Sequence, residues 1–233
     1  TLYVGRDPLS EVVEEAHSRG IAVIPWFEFG FSSSYQDNGG PLLEQKPHWA
    51  ARDQNGNLLE KNGFEWMNAY HPEVQSFMLA LIREVAENYA IDGVQGDDRL
   101  PAQPSEGGYS EYTRKLYARE HGGATVPESH DDPDFLRWKA QKLTDFAKKV
   151  YDTVKAIDPE LIVCWSPSIY PWSYEHYLQD WPSWIEEGAA EVVHPQCYRY
   201  DLKSYKNVID DLKALHFGNF QHIYPGLLMN VGD

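Results

Sequence analysis

The stretch IDGVQGDDR, residues 91–99, decides how this chain is read. A short apolar strand, carried by Ile91 and Val94, runs directly into two adjacent carboxylates, Asp97 and Asp98, with Arg99 beside them. Upstream, PEVQSFMLALIREVAENY at 72–89 has the spacing of an amphipathic helix. Carboxylates at the carboxyl end of a strand that follows a helix stand where parallel α/β proteins collect their chemistry. IAVIPWFEFG at 21–30 repeats the arrangement and ends on Trp26 and Glu28.

The alternation extends outward from these two units. Residues 8–19 predict a helix capped by Asp7, with Pro8 in its first turn, and Gly20 ends it. The clearest helix carries Leu136, Ala140, Leu143, Ala147, Val150, Val154 and Ile157 at spacings of four and three. Further helices are predicted at 109–120, 174–187 and 204–215, the last capped by Ser204. The strands fall at 21–29, 91–97, 161–166, 191–198 and 222–230. Each is a nearly continuous apolar run, as expected where both faces of a sheet are covered. DQNGN at 53–57 predicts a hairpin turn, and FEWMNAY at 64–70 an extended piece.

Strict alternation predicts an α/β fold with a parallel sheet. No Gly-x-Gly-x-x-Gly or P-loop follows a strand, so a nucleotide-binding doubly wound sheet is disfavoured. A (β/α)₈ TIM-barrel type fits better. Eight strands are needed and five are visible, so residues 1–233 are expected to form a single, incomplete barrel domain.

Bulk composition narrows the function. The net charge of −16 sets aside nucleic acid and anionic lipid as partners. No run reaches the roughly 18 apolar residues of a membrane span. The chain holds 8 Trp, 15 Tyr and 9 Phe, and Trp beside carboxylates is one way to offer a flat face to a sugar ring. Cys164 and Cys197 lie in predicted interior strands and read as buried free thiols. No His-x-x-x-His, His-Glu-x-x-His or Cys-x-x-Cys pattern occurs, so neither a metal nor another cofactor is expected. Ser166 lacks the Gly-x-Ser-x-Gly elbow of a serine hydrolase.

The strand ends supply the candidate chemistry. Asp97 is the first choice for catalysis. In an extended strand Asp97 and Asp98 point opposite ways, so one faces the reacting centre and the other holds Arg99 or a loop. The bland alternative is that both cap loop amides. Glu28 lies between Phe27 and Phe29, and a carboxyl among aromatics has its pKa raised, which suits a general acid. Its alternative is a hydrogen bond to a loop or to Arg99. Asp97 with Glu28 would meet the two-carboxyl requirement of glycoside hydrolysis. Trp26, Gln95, Arg99, Ser166, Gln196 and Tyr198, at or near strand ends, are expected to line the same cup. Trp66, Asn68 and His71 are expected there too, although His71 also reads as a simple helix boundary. The excursions 31–68 and 99–133 follow strand ends and should wall the cup. Asp92, at the opposite end of its strand, reads as a structural Asp-Gly turn.

AHSRGIAVIPWFEFG (16–30), WMNAYHPEVQSFM (66–78), IDGVQGDDR (91–99), LIVCWSPSIYPW (161–172) and EVVHPQCYRY (191–200) together resemble the glycosyl hydrolase-like 10 family. That family comprises bacterial (β/α)₈ barrels remotely similar to the α-amylase and α-galactosidase barrels. The resemblance implies that the chain carries the barrel's third to seventh strands. It implies hydrolysis of a sugar chain, with a cell-envelope glycan as one substrate class and a periplasmic or extracellular location. It places Asp97 where amylase-type barrels keep their nucleophile, Gln95 where those barrels have Arg, and Gly96 where a larger residue is usual. LIVCWSPS offers no Glu where those enzymes keep their acid, which leaves Glu28 or Asp98 for that role. Two other readings stand beside hydrolysis: a carbohydrate-binding barrel without turnover, and a barrel lyase or hydrolase acting on a non-sugar substrate.

Overall fold

The computed structural model describes residues 3–215, 218 and 220–229. Its centre is a four-stranded parallel sheet in the order β1 (Trp26–Phe27), β5 (Gly93–Gly96), β6 (Ile162–Trp165), β7 (Val192–Val193). The registers place Trp26 beside Gln95, Gln95 beside Cys164, and Cys164 beside Val192. Pairing runs past the short ladders. Asp92 N–H donates to Val23 O and Gln95 N–H to Pro25 O. On the other edge, Ile223 forms a parallel bridge to Val193, Tyr224 N–H donates to Val193 O, and Gly226 N–H to Pro195 O. The predicted strand at 222–230 is thus one bridge with a parallel continuation, and Asn230 lies outside the described residues. The parallel α/β expectation holds, but among the described residues the sheet is open rather than closed into a barrel.

Helices α1 (Pro8–Ser18), α3 (Pro72–Asn88), α5 (Pro133–Ile157) and α8 (Leu202–Ala214) alternate with these strands. Asp7 caps α1 by accepting from Ser10 N–H, with Pro8 in the first turn as the sequence indicates. The cap of α8 is Asp201 rather than Ser204; Asp201 accepts from the Ser204 amide and hydroxyl, which places Ser204 inside the first turn. The helix expected over 174–187 is two short ones, α6 (Trp172–Tyr177) and α7 (Trp181–Glu186). Leu178 breaks it at φ 60, and the buried Gln179 turns its amide to Asp97 O and Pro101 O. The core lies where α3, α5 and α7 cover one face of the sheet, around Val74, Met78, Ile82, Leu143, Ala147, Val150, Val163 and Trp165.

The excursion after β1 is more ordered than its Ser- and Gly-rich composition suggests. β2 (Ser32–Tyr35), β4 (Phe64–Trp66) and β3 (Glu60–Lys61) form an antiparallel sheet, and α2 (Gly40–Gln45) precedes a 3₁₀ turn at Pro47–Trp49. The turn at 53–57 forms as expected: Asp53 N–H donates to Asn57 O, Gly56 N–H donates to Asp53 O, and the Asp53 carboxylate takes the Asn57 amide. Phe31 N–H donates to Arg99 O, and Met67 N–H donates to Phe31 O, so this sheet is hung from the end of β5. The second excursion contains α4 (Glu111–Glu120), capped by Ser110. Gln103 and Ser105 N–H donate to Tyr177 O and His176 O, which joins it to α6.

Candidate active site

Strand β5 stops at Gly96, where space dictates the residue. A Cβ there would lie 2.4 Å from Leu100 O and 2.6 Å from the Trp165 ring. The chain then turns, with Leu100 N–H donating to Asp97 O, and Arg99 folds back over the strand end. Arg99 is the hub of the site. Its Nη2 lies 2.8 Å from Asp97 Oδ2 and 3.7 Å from Glu28 Oε1, its Nη1 lies 3.4 Å from Asp98 Oδ1, and its Nε–H donates to Glu28 O. The guanidinium also stacks on the Phe64 ring at 4.5 Å. One planar cation therefore gathers three carboxylates from the ends of β1 and β5.

The three carboxylates differ in access. Asp97 has no exposed surface; its Oδ1 accepts the Arg99 amide, and its Oδ2 lies 2.8 Å from Arg99 Nη2. Burial, with Asp98 beside it, pushes the Asp97 carboxyl up to about 9, against the pull of Arg99. Asp98 opens towards solvent, with its side chain 35% exposed. Its charge is felt by Tyr177 and Tyr198: burial first and Asp98 second raise both phenols, Tyr177 to about 12. Glu28 projects outward, 66% exposed, instead of lying enclosed between Phe27 and Phe29.

The other candidates divide into two groups. Around the strand ends, Trp26 is half exposed, Gln95 Nε2 donates to Cys164 Sγ, Ser166 Oγ donates to His194 O, and Gln196 Nε2 donates to Ser166 O. Tyr198 presents an exposed ring. Trp66 and Asn68 are instead fully buried. The Trp66 ring packs 5.9 Å from Tyr177, while Asn68 serves Ser110 and Thr113 at the start of α4. His71 caps α3 by accepting from Glu73 N–H, its ring against Tyr112 and His48. Asp92 is structural as expected: its carboxylate takes Val23 N–H and meets His17 Nε2, contacts that lower its pKa. Cys164 and Cys197 are buried free thiols.

Three contributors escaped the sequence reading. Phe64 supports Arg99, Tyr177 borders Asp98 and accepts from Asn62, and Gln179 anchors the Asp97–Pro101 turn. The run YPWSYEHY at 170–177 advertised aromatics, but pairings across three loops leave no periodic mark. The sequence also offered no metal-binding pattern. Among the described residues, however, His48, His71 and Glu73 bring three ligand atoms within 4.8 Å of one another. This group is outside the carboxylate cluster.

The arrangement at Arg99 can do acid–base work. Asp98 and Glu28 touch one guanidinium, so their carboxyls lie within about 10 Å, the range over which paired glycosidase carboxyls act.

Known proteins similar to the chain show its family and fold. Glycosyl hydrolase DigH of Escherichia coli (strain K12) is 26% identical over 229 residues, covering 85% of this chain and 49% of that protein. Glycosyl hydrolase YngK of Bacillus subtilis (strain 168) is 24% identical over 222 residues, covering 83% and 39%. The chain thus spans about half or less of the length of these relatives. Among solved structures, the PgaB (BpsB) glycoside hydrolase domain from Bordetella bronchiseptica superposes with a TM-score of 0.71 over 95% of this chain and 65% of that one, at 15% identity. Alpha-L-fucosidase isoenzyme 2 from Paenibacillus thiaminolyticus gives 0.57 over 80% and 25%, at 19% identity. At such identities these structures speak for the fold alone. The model of the family described as Glycosyl hydrolase-like 10 matches residues 3–227, and the chain belongs to that family.

Proposed function

We propose that this chain is a glycoside hydrolase acting on an oligo- or polysaccharide, with Asp98 as the carboxyl that meets the substrate. The observation that carries the reading is the Arg99 hub. It holds the partly exposed Asp98 and the exposed Glu28 on one rim, at the carboxyl ends of β1 and β5. Asp97, the first choice from sequence, is a positioning residue in this account, because a side chain without exposed surface does not touch a sugar. It keeps its proton at neutral pH, fixes the 97–100 turn and supports Asp98. Glu28 is the partner carboxyl, and Trp26 and Tyr198 offer ring faces to the sugar.

In this reading the parallel sheet is an arc of a (β/α)₈-type barrel, supported by the superposition on the PgaB domain. The substrate class proposed with it is a cell-envelope glycan, and the proposed location is periplasmic or extracellular. One observation favours a carbohydrate-binding barrel without turnover: β6 ends on Trp165 and Ser166, with no carboxylate. Incubating the protein with a panel of glycans, while measuring reducing-end release and calorimetric binding, separates the two. Release supports hydrolysis, and binding without release selects the binding module.

A further inference from the structure

Three side chains far apart in function, though not in space, form a second site. His48 stands in the 3₁₀ turn at Pro47–Trp49, His71 is the N-cap of α3, and Glu73 lies in the first turn of that helix. One ligand atom from each lies within 4.8 Å of the other two. His48 Nε2 is 3.2 Å from Glu73 Oε2, and the two imidazole rings stand 5.5 Å apart at 70°. Two imidazoles and one carboxylate with ligand atoms gathered this closely are a donor set suited to zinc and its neighbours in the first transition row.

The surroundings suit coordination. Trp49 Nε1 donates to Glu73 Oε2 at 3.0 Å and holds the carboxylate towards the imidazoles, as outer partners of metal ligands do. The Tyr112 ring packs 4.7 Å from His71 and limits its rotation. A surface cavity of about 310 Å³, bordered by His48, His71, Tyr112 and Lys115, opens beside the cluster and leaves room for water ligands. The ammonium of Lys46 lies 3.9 Å from Glu73 Oε2 on an exposed side chain, where a divalent cation would displace it.

We propose that His48, His71 and Glu73 bind one divalent metal ion of the zinc class, clipping the 31–68 excursion to the start of α3. A neutral imidazole has one lone pair to give. The ion takes over the His71 lone pair that now accepts a long 3.2 Å bond from the Glu73 amide. His48 offers Nε2 as its proton passes to Nδ1, so no net proton is lost from either ring. The site is independent of the Arg99 hub, and glycan turnover plays no part in its test.

The test is titration of chelator-treated protein with Zn²⁺ by calorimetry, and with Co²⁺ by visible absorption. The expected result is one equivalent bound, d–d bands of a low-coordinate cobalt site, and a rise in Tm with Zn²⁺. His48→Ala, Glu73→Gln and His71→Asn should each weaken binding by at least about 100-fold, because loss of an outer partner alone costs 10–100-fold. His71→Asn is the decisive variant, since Asn still caps the helix and preserves the fold. Absence of stoichiometric binding, or affinity and cobalt bands unchanged in His71→Asn, overturns the proposal.

Discussion

Arg99 Nη2 lies 2.8 Å from Asp97 Oδ2 in a pair where the acid has no exposed surface and the base only 14%. The same guanidinium reaches Asp98 and Glu28, so one residue ties the stability of the strand end to the geometry of the rim. Arg99→Met removes the guanidinium 2.8 Å from the buried, protonated Asp97 carboxyl and the cation that Asp98 and Glu28 share. The expected cost is about 1–3 kcal/mol at neutral pH, read from urea midpoints. Arg99→Lys keeps a charge but cannot span three carboxylates, and should recover only part of that loss.

Asp97 gives a pH signature. Its folded pKa, raised to about 9 by burial and Asp98, exceeds the ordinary carboxylate value. The folded state therefore holds a proton that the unfolded chain releases, and stability from this group is full below about pH 4 and declines as pH rises towards 9. Asp97→Asn removes the titration while its amide oxygen still accepts the Arg99 N–H. Compared at pH 5 and pH 8 by chemical denaturation, the variant should lose less stability than the parent.

Gly30 allows the first excursion to leave β1 against the Arg99 backbone. It sits at φ 53, and a Cβ there would fall 2.2 Å from Arg99 O, the carbonyl that accepts Phe31 N–H. Gly30→Ala should cost about 2 kcal/mol or more, seen as a lowered Tm, and should disturb the hub from outside the carboxylates.

Lys139 is a buried staple. Its ammonium donates to the carbonyls of Ser105, Gly107 and His130, and lies 4.3 Å from the Phe135 ring centroid. Burial lowers its pKa to about 7. Lys139→Met strands three carbonyls and should cost about 3 kcal/mol. Limited proteolysis should show the first new cuts within 99–133.

The β/α alternation was legible because continuous apolar runs and helical stripes encode burial directly, as Val94, Val163 and the α5 face show. Asp97 and Asp98 were legible as a pair, but the extended strand expected to point them opposite ways ends at Gly96, and both side chains meet Arg99. Which one turns inward was not legible, because the turn, rather than the pleat, directs both side chains. Of the β2–β4–β3 sheet only the extended piece at 64–70, which holds β4, was legible; β2 and β3 were missed because strands of two to four residues carry little periodicity. The His48–His71–Glu73 group was missed for a related reason. Its ligands come from two elements, and motif spacing sees only one at a time.

The role proposed for Asp98, held by Arg99, is to act on a glycosidic bond. The decisive measurement is reducing-end release from a glycan that the parent protein cleaves, made for Asp98→Asn beside calorimetric binding of the same glycan. Turnover should fall by at least about 100-fold while affinity stays within a few-fold of the parent. Unchanged turnover in Asp98→Asn contradicts that role.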